Sequence, residues 1–158
     1  MIKPAEIDRR QLEKDPHLLW KTFQKFLSKA DTTEMDDVQM AAQLPYWYHA
    51  DMQSGGHLQY FEEKYQKLGD KLDVLLLATL DALKIIRANR QAEILAAAAD
   101  LYFSRPRRHT LDTDKLAQLS PAGEFQELDE EYRHCSPGIA ELLEEYLTAH
   151  QDHFIKII

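Results

Sequence analysis

Side chains capable of acid–base or metal chemistry flank the one pair of adjacent glycines in the chain. His49, Asp51 and His57 surround that pair, which lies in the segment DMQSGGHLQYFEE, residues 51–63. Imidazole and carboxylate groups that converge in a fold can act as acids, bases or metal ligands. The chain contains no phosphate loop, no G-x-S-x-G and no H-E-x-x-H motif. We therefore expect no enzyme and no cofactor, and a small-molecule or metal site at the glycine pair stays an alternative.

A second group of possible metal ligands lies near the end of the chain, in HQDHF. His150 and His153 are three residues apart and share a helix face, with Asp152 between them. A zinc site needs three or four protein ligands, and no further ligands are evident here. Histidines at the end of a helix also complement its dipole. We therefore expect no metal at this position.

The segment SRPRRH, residues 104–109, is the one local positive cluster. Its three arginines, Arg105, Arg107 and Arg108, lack the interleaved aromatic residues and the basic surroundings of a nucleic-acid site. The pattern predicts a solvated loop, with a phosphate or an acidic partner as the alternative ligand.

Composition excludes several classes of function. The 158 residues include 27 acidic and 19 basic side chains, so that the net charge is −8. Such a charge disfavours binding to nucleic acid or to anionic membrane, and favours basic proteins as partners. One cysteine excludes an intrachain disulfide. No apolar segment reaches the length of a signal peptide or a membrane span, so we expect a cytoplasmic protein.

The apolar periodicity is helical almost throughout, which predicts an all-α, single-domain bundle of six to seven helices over residues 15–158. Residues 1–14 are polar, and we expect them to be only partly ordered. Asp15 and Pro16 have the residue types of an N-cap and a first helical position. A further helical pattern runs over residues 34–53, where Pro45 should break or kink the helix at Leu44.

Later helix boundaries are marked by glycine and asparagine. Gly69 and Asp70 are typical of one helix end and the N-cap of the next helix. The following Leu/Ala-rich helices, separated near Asn89, predict a central helical hairpin. The last helix, after Ser136 and Pro137, has a complete apolar stripe: Ile139, Leu142, Leu143, Tyr146 and Leu147.

Negative charge is concentrated in the last quarter of the chain. Residues 124–158 hold nine acidic and two basic residues. Helical phase places the glutamates of two consecutive helices opposite their apolar stripes, so we expect two outward acidic rows. Like charges at these spacings repel one another, and a helix without a function for its acidic row would more often have lysines between the glutamates. The rows therefore indicate a binding function. The predicted partner-binding residues are Glu127, Glu130, Glu131, Glu141, Glu144 and Glu145, together with Asp36 and Asp37.

The glycine pair itself is first a structural feature. Gly55 and Gly56 permit a left-handed helix end and a sharp turn between two aromatic-rich segments. Gln59 should lie near that turn and bond its freed backbone groups. The predicted structural turn comprises Asp51, Gly55, Gly56, Gln59, Tyr60 and Phe61.

The same stretch resembles the signature of a DNA-mimic protein family of small bacterial all-α proteins, largely of unknown function. That signature reads acidic-x-Asn-Asn-Gly-Gly-x-x-Gln-Tyr-Phe-x-Asn. Asp51 takes its acidic position, Gly55 and Gly56 its glycines, and residues 59–61 its Gln-Tyr-Phe. FQELDEEY at 125–132 and LLEEYLTAHQDHF at 142–154 match later landmarks in order, so the resemblance covers about residues 38–154. The departures from the signature are Gln53, Ser54, His57 and Glu63.

The resemblance implies a homodimer, with the aromatic residues of PYWYH contributing to its interface. Together with the acidic rows, it leads us to expect a non-enzymatic DNA mimic that occupies the DNA-binding surface of a basic protein such as a transcription factor. The alternative is an immunity or antitoxin-like inhibitor of a basic toxin, which would use the same charge in one specific concave contact.

Overall fold

The computed structural model of the chain describes residues 1–109 and 123–158. These residues form seven α-helices and one two-stranded parallel sheet, which confirms the predicted all-α single domain of six to seven helices. No helix among them is long and apolar enough to cross a membrane. The elements are β1 (Ala5–Ile7), α1 (Arg9–Lys14), α2 (Leu18–Lys29), α3 (Asp37–Leu68), α4 (Leu72–Ile85), α5 (Asn89–Phe103), α6 (Gln126–Arg133), α7 (Ile139–Ala149) and β2 (Ile155–Ile157).

Helix α3 is the centre of the fold and is folded back on itself at Gly56. That glycine has φ +84°, which interrupts an otherwise helical segment. Asp51 Oδ2 and Lys64 Nζ, on opposite sides of the glycine, are only 2.9 Å apart. In a straight helix thirteen residues would separate them by about 20 Å. The two halves of α3, residues 37–55 and 57–68, therefore pack against each other.

The break predicted at Pro45 is wrong. The first half of α3 begins after Asp36, whose side chain forms a capping box with Gln39, and it continues through Pro45 without a non-helical residue. A proline inside a helix costs about 3 kcal/mol. Packing of α3 against α2, α4 and α7 compensates for that cost, and the buried Pro45 is part of this packing.

The start of the chain differs from the partial order expected for residues 1–14. Strand β1 pairs in parallel with β2, with Ala5 opposite Ile155 and Ile7 opposite Ile157. Helix α1 follows directly. Asp15 is the C-cap of α1, not the N-cap of α2, which begins only at Leu18. Because β1 and β2 are about 150 residues apart in sequence, no local sequence pattern predicts that they pair.

Gly69 ends α3 as predicted, with φ +54°. Asp70 lies in a short 3-10 turn, and α4 begins at Leu72 without a side-chain cap, so the predicted capping role of Asp70 is wrong. Asn89 is the first residue of α5, as the hairpin prediction requires.

The last two helices bury the residues that their periodicity indicates. All five residues of the predicted α7 stripe are buried, and Phe125 and Tyr132 are buried beside α6. Helix α7 begins at Ile139, after the Ser136–Pro137 segment. Helix α6 packs against α3 and α5, whereas α7 packs against α3.

Candidate functional site

Five of the eight predicted partner-binding residues are exposed glutamates on α6 and α7. Within residues 1–109 and 123–158 none of the five forms an ion pair. They are Glu127 and Glu130 on α6, and Glu141, Glu144 and Glu145 on α7. Their carboxylates are therefore available to a partner.

The other three predicted residues differ in their surroundings. Glu131 is half-buried and lies 3.0 Å from the guanidinium of Arg90. Asp36 accepts a hydrogen bond from the Gln39 N–H and lies 3.0 Å from His153 Nδ1. Burial raises the pKa of Asp36, but these hydrogen bonds more than offset it and leave the pKa below its ordinary value. Asp37 is exposed in the first turn of α3.

Arg90 joins the acidic row of α6 to helix α5. Its guanidinium lies 3.1 Å from a carboxylate oxygen of Glu93 on α5 and 3.0 Å from one of Glu131 on α6. No hydrogen bond or ion pair joins the glutamates of α6 to those of α7 in the described parts of the chain. The structure therefore has two acidic rows on two helices that both pack against α3, with Arg90 beside the α6 row.

The prediction that SRPRRH is a solvated loop is wrong for Arg107. Its side chain is only 2% exposed, and it donates to Glu124 and to the carbonyl oxygens of Tyr102 and Leu101. Arg105 also binds Glu124, at 2.7 Å. Burial raises the pKa of Glu124, but the hydrogen bonds from both arginines outweigh this and hold it below its ordinary value. One carboxylate ahead of α6 is thus neutralised by the loop.

The three residues that flank the glycine pair do not converge on one site. Asp51 pairs with Lys64, whose ammonium also lies 5.8 Å from the centre of the Trp47 ring. His49 Nδ1 lies 2.6 Å from the Tyr132 hydroxyl oxygen, within hydrogen-bond distance. Burial lowers the pKa of His49 and raises that of Tyr132, so the imidazole is neutral and the hydroxyl keeps its proton. Asp51 and His49 thus take part in two separate contacts.

His57 instead belongs to a buried hydrogen-bonded chain. Its backbone N–H and its Nδ1 atom both lie within 3.0 Å of Asp129 Oδ1, and the Tyr48 hydroxyl lies 2.6 Å from its Nε2 atom. A carboxylate only accepts, so Nδ1 carries a proton and donates it to Asp129. Burial raises the pKa of Tyr48 well above its ordinary value, so its hydroxyl keeps its proton. Tyr48 and His57 are fully buried, so this hydrogen-bonded network stabilises the fold.

The predicted structural turn is a close contact between α3 and α6. A Cβ atom at Gly56 would lie 2.6 Å from Asp129 Oδ2. Gln59 donates to Glu63 at 3.1 Å and lies 3.4 Å from the Ser54 hydroxyl, so it does not bond freed backbone groups as predicted. Tyr60 and Phe61 are buried in the core. Asp129 is not among the predicted residues of the turn, although it lies four residues after Phe125 and three before Tyr132, in the phase of the inner stripe.

The HQDHF segment forms no metal centre within the described residues, where no group of three or more suitable side chains converges. His153 contacts Asp36 instead, and His150 lies beside the Tyr146 ring. A groove of about 590 Å³ lies near the glycine pair. Its polar lining includes His49, Gln53 and Arg133.

Comparison with known proteins assigns a family. A family model described as DMP19-like protein matches residues 33–150. The assignment of the chain to a family with a DNA-mimic signature was wrong, because the description of the matching family names no DNA mimicry. No curated protein and no solved structure matches the chain. Since the match covers most of the chain, the protein belongs to the DMP19-like family.

Proposed function

We propose that the protein is a non-enzymatic, acidic interaction protein that acts as a DNA mimic. In this proposal it occupies the DNA-binding surface of a basic protein, such as a transcription factor, and so regulates transcription. The observation that carries the proposal is the display on α6 and α7 of five exposed glutamates that form no ion pair within residues 1–109 and 123–158.

The physical basis is competition for a positively charged surface. Duplex DNA carries one phosphate per roughly 1.7 Å of its axis, so two helices imitate only a short stretch of it. Carboxylates three and four residues apart on a helix repeat every 4.5 to 6 Å, about the length of one helical turn. Attraction between exposed charges is screened by salt, so such a complex weakens steeply as the ionic strength rises.

A homodimer in the cytoplasm is the second part of the proposal, because two copies would double the acidic surface. The PYWYH segment offers less to such an interface than the sequence indicates. Pro45 and Tyr48 are buried within the protomer, and Tyr46, Trp47 and His49 are half-buried.

An inhibitor of one basic toxin is the alternative, and one observation favours it. The two rows lie on different helices, and the guanidinium of Arg90 lies beside the α6 row, where it binds Glu131. An interrupted acidic surface suits one partner of matching shape better than it imitates a regular duplex.

The test is a pull-down from an extract of the source cells at low salt, followed by elution with duplex DNA. DNA mimicry predicts that the captured proteins bind DNA and that excess duplex releases them. A variant with Glu141→Gln, Glu144→Gln and Glu145→Gln should capture less than a tenth as much. The control, Glu6→Gln with Glu13→Gln and Glu34→Gln, removes the same charge from exposed positions elsewhere and should capture as much as the wild type.

The outcomes separate the two functions. One captured partner that duplex DNA does not release would support the inhibitor and contradict mimicry. Equal losses in both triple variants would mean that only total charge matters, and would contradict a binding role for α7.

A further inference from the structure

The groove beside the glycine pair lies where the first half of α3 meets the ends of three other helices. Residues from the start of α5, the end of α6 and the start of α7 complete its lining. Its volume of about 590 Å³ is that of a small-molecule site, for which about 300–1,000 Å³ is typical. The groove is therefore large enough for a small organic ligand.

Among the described residues that line this groove, Arg133 is the one that carries a charge at neutral pH. Burial keeps the other titratable side chains of the lining neutral. It lowers the pKa of His49, and it raises the pKa of Tyr132 and of the Cys135 thiol. The Arg133 side chain is exposed and forms no ion pair within residues 1–109 and 123–158. An unpaired guanidinium in a neutral groove attracts an anion.

The acidic residues around the groove leave this preference in place. Four of the nearby carboxylates lie within 3.1 Å of a basic side chain. The other two, Glu130 and Glu141, are exposed, so water and salt screen their repulsion of a bound anion. The acidic residues within three positions of a lining residue, none of which lines the groove itself, are Asp51, Glu93, Asp129, Glu130, Glu131 and Glu141.

The start of α7 adds hydrogen-bond donors to the same groove. Gly138 is the N-cap of α7, and no side chain caps this helix. The first backbone N–H groups of a helix have no partner within the helix, and they favour a negatively charged ligand. Gly138 and Ile139 both line the groove. An anion that binds Arg133 can therefore also accept from the first N–H groups of α7.

A buried acceptor lines the groove as well. Gln91 is only 3% exposed, and its Nε2 atom donates to the carbonyl oxygen of Pro137 at 2.9 Å. Because that carbonyl can only accept, the contact fixes which end of the Gln91 amide is the donor. The Oε1 atom accepts no hydrogen bond within the described residues. A ligand that offers an N–H or O–H group would satisfy it.

We propose that this groove binds a small organic acid with one carboxylate, one neutral hydrogen-bond donor and an aliphatic body, as in an N-acylated amino acid. The carboxylate binds Arg133 and the first N–H groups of α7, and the donor binds Oε1 of Gln91. The aliphatic body packs against Met52 and Ile139. A free amino acid fits less well, because its ammonium group finds no carboxylate in the lining. The proposal goes beyond the DNA-mimic function and uses none of the predicted partner-binding residues.

The test titrates N-acetyl-L-leucine into the isotope-labelled full chain, and nuclear magnetic resonance follows the backbone amide signals. Two further probes are N-acetyl-L-leucinamide, which lacks the carboxylate, and acetate, which lacks the aliphatic body and the donor. We expect the acid to bind at least about tenfold more tightly than either of them. The largest shifts should belong to residues that line the groove, among them Gln91 and Ile139.

Arg133→Gln should weaken the binding of N-acetyl-L-leucine by about tenfold, because a charge-assisted hydrogen bond is replaced by a neutral one. The matched control, Arg10→Gln, removes the same charge from an exposed arginine on α1 and should leave binding unchanged. The amide spectra of both variants check that they are folded.

Equal binding of the acid and its amide would overturn the proposal, as would equal effects of the two substitutions. Equal binding of acetate would mean that the groove selects only a negative charge, which contradicts the proposed ligand. Shifts confined to residues outside the groove, or no shifts at all, would also overturn it. None of these outcomes bears on whether DNA displaces a partner from α6 and α7.

Discussion

The Nδ1 atom of His57 lies 2.6 Å from Oδ1 of Asp129, and the same oxygen accepts the backbone N–H of His57. One carboxylate thus caps the second half of α3 where the helix restarts after Gly56. The contact joins α3 to α6 across 72 residues of sequence. It therefore fixes the orientation of the helix that carries Glu127 and Glu130 outward.

Removal of the Asp129 carboxylate should destabilise the fold substantially. Asp129→Ala leaves the ring and the backbone N–H of the fully buried His57 without their acceptor, and buried donors left unpaired cost about 1–3 kcal/mol each. We expect a loss of about 2–4 kcal/mol in the free energy of unfolding, measured by urea denaturation.

Glu130→Ala is the matched control for this measurement. Glu130 is the next residue along α6, is exposed, and forms no ion pair in the described residues. Its substitution should change the free energy of unfolding by about 0.5 kcal/mol or less. Similar effects of the two substitutions would contradict the structural role of Asp129.

The two adjacent glycines should respond in opposite ways to alanine. At Gly56 the φ of +84° is strained for any other residue, and the added Cβ would meet Asp129. Gly56→Ala should cost about 2 kcal/mol or more. At Gly55 the new Cβ would lie 1.7 Å from Oε1 and 3.0 Å from Cβ of Gln59, so the Gln59 side chain must turn away, as its exposed amide end can. Alanine there gains helix propensity of up to about 1 kcal/mol.

Thermal and urea unfolding of both glycine variants measure this contrast. Gly55→Ala should be as stable as the wild type or more so. If Gly56→Ala were as stable as Gly55→Ala, this would contradict the turn in α3 at Gly56.

Glu124 should make stability depend on pH in the acid range. Its pKa in the folded protein lies below the ordinary value of 4.5, because hydrogen bonds from Arg107 and Arg105 outweigh the effect of burial. The unfolded chain therefore binds the proton more readily. The stabilisation is complete well above pH 4.5 and is lost as the pH falls through the folded pKa.

Glu124→Gln measures this contribution directly. At neutral pH it should lower the free energy of unfolding by about 2–4 kcal/mol, because the buried Arg107 loses its charged partner. The difference between wild type and variant should shrink as the pH falls below the ordinary carboxyl value. A difference that stays constant down to the acid transition would exclude an ionised Glu124 as the source of the stability.

The apolar periodicity of a helix predicts which of its residues are buried and which are exposed. The stripe of α7, from Ile139 to Leu147, is buried as its spacing indicates, because an amphipathic helix has one way to face a core. Outward phase likewise predicts the exposure of Glu141, Glu144 and Glu145.

Contacts between distant residues decide the rest. Pro45 fits inside α3 because surrounding helices compensate for its cost. The glycine pair predicts a sharp turn, but not that the two halves of α3 pack against each other beyond it. In the sequence Asp129 is one of several acidic residues on α6. Its inward phase alone does not indicate that it contacts His57, because His57 is 72 residues away in sequence. Nothing near Ala5 or Ile155 indicates that the ends of the chain pair.

The most direct measurement of the proposed function is competition between this protein and DNA for one captured basic partner. A labelled duplex is bound to that partner, and its fluorescence anisotropy is followed as the protein is added. DNA mimicry predicts complete displacement of the duplex, and displacement at least about tenfold weaker by the Glu141→Gln, Glu144→Gln, Glu145→Gln variant. A ternary complex, in which the duplex stays bound while the protein saturates the same partner, would contradict it.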